Sequence, residues 1–162
     1  MDIHAVDFEY DDVFGLELAE GRYFSREFST DAEEAIVLNQ TAVRRMGIED
    51  PIGKRFDCPL PFGPDRNGRI IGVVKDFHFR SLHEPIAPLI LVIAPEWFTD
   101  LYIRLDGSDL SGTMAAVERV IKTHAPNFPF EFRFMDDEIN ELYGAEVRFG
   151  KLVQAGTGLA LF

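Results

Sequence analysis

The chain has 162 residues, 46% of them hydrophobic and 27% charged, enough to bury a core in one domain or in two small lobes and unlike the composition of a disordered tract. Its formal net charge of −12 repels a phosphate backbone or an anionic lipid surface, which excludes nucleic acid as a partner. The single cysteine, Cys58, excludes an internal disulfide and a Cys-rich zinc site.

Met1 opens directly into the acidic, aromatic run Asp2 to Tyr10, without the basic segment and apolar stretch of a signal peptide, so an exported chain would carry its address elsewhere. Residues 12–18 read as a short helix led by Asp11 or Asp12, with Gly21 breaking the pattern before Tyr23 and Phe24. Glu34 to Leu38 is strand-like. Asn39 then caps a helix over Gln40 to Met46, and Gly47 stands in its C-terminal capping position.

A turn over residues 50–54 leads into a strand at Arg55 to Asp57. The segment 58–68, with three prolines and two glycines, reads as a hairpin tip. Arg69 to Val74 and Pro88 to Ile93 are apolar runs of strand length, suited to the centre of a sheet. Between them, residues 75–82 interleave charge with phenylalanine. Alternation there puts Phe77 and Phe79 on one face and Asp76, His78 and Arg80 on the other.

In the last third, Leu101, Ile103 and Leu105 alternate with Tyr102 and Arg104 as in a half-buried strand. Asp109 caps a helix with Leu110, Met114, Val117 and Ile121 on one stripe, and Pro126 follows its end. Phe130, Phe132 and Phe134 predict another strand. Asp136 and Asp137 cap a final helix through Ile139, Leu142, Tyr143 and Val147, which continues towards the uncharged tail from Ala155 to Phe162. That tail is shorter than the roughly 20 apolar residues of a bilayer span, and reads as the first turns of a membrane helix or as a docked apolar end. The fifteen Phe against one Trp read as strands packed through aromatic rings. The whole predicts an α+β chain with helices on one face of a sheet.

No catalytic constellation emerges. His4, His78, His83 and His124 show no zinc-ligand spacing, and His78 and His83 near Glu84 read as solvated or hydrogen-bonded. Ser81 and His83 lack a nucleophile elbow, and Gly156 and Gly158 follow a helix rather than a strand. Asp136, Asp137 and Glu138 lack the alternating ligands of a calcium loop and are explained as a helix cap. Asn39-Gln40-Thr41 matches a glycosylation sequon, but capping already accounts for Asn39. The chain is therefore expected to be non-enzymatic, with no catalytic residues, no metal and no cofactor. Asp76, His78 and Arg80 are the candidate lobe junction or partner contact, against the plainer reading of a solvated face with an exposed ion pair worth under about 1 kcal/mol.

Four phrases occur in order: LAEGRYFSREF (18–28), IVLNQTAVRRMGIEDPIGKRF (36–56), IIGVVKDFHFRSLHEPIAPLIL (70–91) and FRFMDDEINELYGAEVRFGKL (132–152). Together they resemble the extracytoplasmic, or periplasmic core, domain of MacB/FtsX-like ABC-transporter permeases of the type common in Bacteroidetes. Gln40 and Ile48 stand where that family suggests a glutamate and an aromatic residue, and the loop 58–68 is idiosyncratic. The resemblance implies a domain between membrane helices with a porter-like α/β sandwich lobe and an inserted β-rich lobe. On this chain it implies residues 10–96 as the inserted lobe, 1–9 and 97–150 as the porter-like lobe, incomplete on its N-terminal side, and 151–162 as the start of a transmembrane helix.

The implied role is mechanical. ATP hydrolysis belongs to a cytoplasmic ATPase subunit, and the periplasmic domain of the inner-membrane permease passes the movement to export or to an envelope partner. The implied partners are that ATPase, a second permease copy and a periplasmic or outer-membrane protein. An extracytoplasmic ligand-binding or sensor domain, and a cell-division-type regulator of peptidoglycan hydrolases, are the competing expectations.

Overall fold

A computed structural model describes residues 1–59, 65–79 and 84–135. Of the two apolar runs that the sequence places at the centre of a sheet, 69–74 ends the strand Arg66–Val74 and 88–93 holds β6 (Leu89–Ile93); β6 and the strand-like segment that becomes β3 (Ala35–Asn39) are buried along their whole length. Such unbroken burial requires cover on both faces of a sheet. Alternate residues of these strands serve the two faces. Ala35, Val37, Leu89, Leu91 and Ile93 share one apolar cluster, and Ile36, Leu38, Ile90 and Val92 belong to the other.

The sheet has six strands in the order β1 (Asp2–Val6), β6, β3, β5 (Arg66–Val74), β2 (Leu18–Gly21). β1 lies parallel to β6 and shares its sheet, β6 is antiparallel to β3, and β3 is parallel to β5. The edge of β5 away from β3 carries two partners in succession. The first half of β5 is antiparallel to β4 (Arg55–Cys58), the second half to β2. The β4–β5 pairing gives the predicted hairpin. Leu60 to Pro64 of its tip lie outside the described residues.

One close approach depends on glycine. Gly21 sits opposite Gly72 with φ +76°, and a Cβ on it would lie 2.2 Å from the Ile71 carbonyl oxygen. A Cβ on Gly72 would lie 2.1 Å from the carbonyl oxygen of Arg22. Neither position has room for a side chain.

The cover differs between faces. On one side lie Phe8, Tyr10, Leu16, Tyr23, Phe24, Phe77 and Phe79. On the other lie Ala42, Val43 and Met46 of α3 (Gln40–Met46), together with Ile48, Phe56 and Trp97. Phenylalanine packs the strands from their faces, Phe8, Phe24, Phe77 and Phe79 on one and Phe56 on the other, rather than from within the central strands. The buried apolar side chains of the strands are Ile, Val, Leu, Ala and Cys58, and Phe24, outside the strands, is the one buried phenylalanine among the described residues. Slim aliphatic side chains suit strands covered on both faces, and the rings that cover them lie mostly in the connections, Phe56 of the strand Arg55–Cys58 apart.

Several predicted boundaries move. The helix expected over 12–18 is α1 (Tyr10–Phe14), ended by Gly15 at φ 65°, and Leu18–Gly21 is a strand. Asp11 and Asp12 thus lie within its first turn and do not cap it. A four-residue helix, α2 (Asp31–Glu34), precedes β3. Asn39 and Gly47 cap α3 as predicted, the latter at φ 63°.

The molecule divides into two compact units, Met1–Arg104 and Leu105–Phe162. The second holds α4 (Leu110–His124), whose N-cap Asp109 accepts a hydrogen bond from the Gly112 N–H, as expected. The strands predicted at 101–105 and 130–134 are absent. Alternation marks one apolar edge of a chain, but a strand also requires a neighbour to take its N–H and C=O groups. Neither segment joins a β-ladder among the described residues. The final helix predicted from Asp136 onwards, and the apolar tail, lie outside the described residues.

Candidate functional site

The polar network most removed from plain solvation surrounds the N-terminus of α3. The first N–H groups of a helix lack intrahelical acceptors, and here the local cap Asn39 and the chain-distant Asp76 supply them. Asn39, fully buried, accepts from the Ala42 N–H at 2.8 Å and from the Leu89 N–H at 2.9 Å, and donates through Nδ2 to the Ala87 carbonyl at 2.9 Å. Its amide is thus used on both ends, which makes its burial affordable.

Asp76 supplies the next donor. Its Oδ1 accepts from the Thr41 N–H at 2.8 Å, and its Oδ2 accepts from the Thr41 hydroxyl at 2.9 Å and from the Arg44 guanidinium at 2.6 Å. Burial alone would raise the Asp76 pKa, but the Arg44 and Thr41 hydrogen bonds outweigh it and hold the carboxyl below its ordinary value. The anion also lies at the end of α3 where the helix dipole favours it.

Asp76 and His78 do not share one open polar face. Residues 75–78 are not a strand. Asp76 is half-buried on α3 and His78 is exposed, while Arg80 lies outside the described residues. Phe77 and Phe79 do share a face: their rings pack 5.7 Å apart and both lie against the first apolar cluster. The partner of Asp76 is Arg44, which the sequence reading left unassigned.

A second network was also unassigned. Arg22, just after the Gly21 turn, forms a two-pronged pair with Asp31 at 2.5 and 2.8 Å, donates to the Tyr23 carbonyl, and lies 3.9 Å over the Phe28 ring. Asp31 is 1% exposed and also accepts from the Ser25 N–H. Burial raises its pKa, and Arg22 with the Ser25 N–H reverses that, leaving it below the ordinary carboxylate value. The nine-residue separation to Asp31 carries no helical or strand period.

Of the histidines, His4 on β1 meets the Phe79 ring edge-on at 5.2 Å, and His124 is exposed near the end of α4. Ser81 and His83 lie outside the described residues. Among the described residues no group of three or more His, Cys, Asp or Glu side chains is placed to hold a metal ion, and no helix is long and apolar enough to cross a membrane. A recess lined by Phe77, His78, Phe79 and residues 84–87 measures 10 Å³, room for about one water. Cys58 is buried, which pushes its thiol up to about 11 and leaves it unreactive at neutral pH.

Comparison with known proteins fits the fold, and the family match takes in the first three ordered phrases. A solved structure of the periplasmic region of MacB from Actinobacillus actinomycetemcomitans superposes with TM-score 0.52 at 20% identity, over 75% of this chain and 56% of that one. A domain of a provisionally assigned permease protein from Porphyromonas gingivalis gives TM-score 0.48 at 21% identity, over 75% of this chain and 54% of that one. This chain thus spans little more than half of either solved region. Among curated proteins none matches. The model of the MacB-like periplasmic core domain matches residues 1–121, three quarters of the chain, and the chain belongs to that family.

Proposed function

We propose that this domain is the periplasmic part of an ABC-transporter permease in the inner membrane, and that it passes movement driven by a cytoplasmic ATPase subunit to export or to an envelope partner. The observation that carries this reading is the family match over residues 1–121. The chemistry of the described residues agrees with a mechanical role: the polar groups with displaced pKa values are spent on joining elements, Asp31 to Arg22 and Asp76 to α3. A second permease copy and a periplasmic or outer-membrane protein are the further partners this reading calls for.

Sidedness is testable through the native cysteine. Cys58 is buried, so a membrane-impermeant thiol reagent should leave it unlabelled in a parent permease from which any cysteine outside this chain has been removed. A single cysteine at exposed Thr99 should then label in intact cells of a Gram-negative host with a permeabilised outer membrane. Labelling that appears only after lysis would overturn the reading. For transmission, a flexible Gly/Ser insertion near Gly150 of the intact permease should leave ATP turnover running while export falls. Unchanged export would remove the mechanical role and leave sidedness standing.

A further inference from the structure

The chain leaves the sheet at Val74, the end of β5, and re-enters it at Leu89, the start of β6. Both roots of this excursion end on the same turn of α3. The outgoing root is held by Asp76 on the Thr41 N–H, the Thr41 hydroxyl and Arg44. The returning root is held by Asn39, which binds the Ala87 carbonyl and the Leu89 N–H. Asn39 and Asp76 also satisfy adjacent amides of that turn, Ala42 and Thr41 respectively.

We infer that the N-terminus of α3 is a shared clamp for both roots of the excursion, so that the outgoing root, the helix and the returning root loosen together. The reason is the saturation of the site. Asn39 is fully buried with its acceptor shared between α3 and β6 and its donor on the returning root. A turn of α3 that loses Asp76 carries Thr41 and Ala42 with it, and the Asn39 oxygen cannot follow Ala42 and keep Leu89 in line. The aromatic rings give the excursion a separate hold on the sheet, since Phe77 and Phe79 pack on the first cluster. Loosening at the clamp therefore differs from detachment of the excursion as a whole. The exposed side chain of His78, two residues from Asp76, gives anything that touches the excursion from outside a short route to α3.

Amide hydrogen exchange on the intact chain tests this, because opening of a local unit appears in all its amides at once. Replacing the carboxylate, Asp76→Ala, should speed exchange at Thr41, Ala42 and Leu89 on the order of tenfold, the loss expected for charge-assisted hydrogen bonds, while Ile90 in the neighbouring ladder stays as it was. Leu89 is the deciding amide, since Asp76 does not touch it. Faster exchange at Thr41 alone would overturn the inference. If Asp76→Ala also speeds Ile90, the variant has opened the sheet, and the milder Thr41→Val decides. It removes only the hydroxyl that Asp76 and Arg44 share. A smaller rise at Ala42 and Leu89 together, with Ile90 unchanged, sustains the shared clamp, and a rise confined to position 41 ends it.

Discussion

The units Met1–Arg104 and Leu105–Phe162 use the same vocabulary of alternating strands and one-sided helices, with opposite results. In the first, β3 and β6 are buried throughout and both sheet faces are covered. In the second, not one described residue is buried, although Met114, Val117 and Ile121 line one stripe of α4 and Phe128, Phe132 and Phe134 are exposed. An apolar pattern states which side of a segment avoids water. Whether it succeeds depends on a partner surface, and only the first unit supplies one among the described residues.

The largest expected effect separates the two units. Leu38→Ala, at a site with no exposure, should cost about 3–4 kcal/mol through lost transfer energy and the cavity left behind. The matching truncation Ile121→Ala, on a half-exposed helix stripe, should cost under about 1 kcal/mol. Urea unfolding of the two variants checks this. Equal losses would mean that α4 is packed as tightly as the sheet, and the contrast would be gone.

That contrast also explains which features could be read in advance. Asn39, Gly47 and Asp109 were legible because capping is local: the residue and the amide it serves lie within three or four positions. The strands β3 and β6 were legible because their burial on both faces leaves a continuous apolar run. The pairs Arg22–Asp31 and Asp76–Arg44 were not, since they join residues 9 and 32 apart and no local period connects them. Segments 101–105 and 130–134 were misread for the reverse reason. Their pattern is local and clear, while the ladder that would make them strands is a long-range property.

Next in size is the part-buried pair of Arg22, whose side chain is 37% exposed, with buried Asp31. Arg22→Met should destabilise by about 3 kcal/mol, because it strands the Asp31 carboxylate at 1% exposure without its guanidinium. The double replacement Arg22→Met with Asp31→Leu should recover much of that loss, since removing both charges also removes the desolvation cost. A double variant no more stable than the single one would show that the Ser25 N–H, left without the carboxylate it bonds, costs as much as the stranded charge did.

The pH dependence should carry the same signature. Asp31 and Asp76 both have folded pKa values below the ordinary carboxylate value, about 3.9 when unfolded. Their stabilisation is complete above that value and is lost as the pH falls through the folded values. Asp11, raised chiefly by burial, acts in the opposite direction and partly offsets them. The unfolding midpoint should therefore drop below about pH 4, and less steeply in the Arg22→Met, Asp31→Leu pair. At the alkaline end, burial raises Tyr10 and Tyr23 from 10.0 to about 12, and Tyr23 donates to the Leu16 carbonyl at 2.5 Å. Raised values mean stability that is whole below pH 10 and lost between 10 and 12. Tyr10→Phe should flatten that limb.

The smallest effect lies in the second unit, at Glu118 and Lys122. They are one helical turn apart with a 2.6 Å contact, as short as several distances in the Asp76 and Asp31 networks, but with side chains 41% and 59% exposed. Water screens the attraction, and two long side chains give up rotamer freedom to make it. Glu118→Gln should change stability by less than about 0.5 kcal/mol and should be indistinguishable from the parent in 1 M salt, where screening is nearly complete. A loss comparable to that of Arg22→Met would place this face of α4 in a dry environment and make the second unit's burial equal to the first. Distance alone does not set the strength of an ion pair; the water excluded around it does, and that is what separates Asp31, at 1% exposure, from Glu118 and from the no less exposed Lys75–Glu17 pair of the first unit.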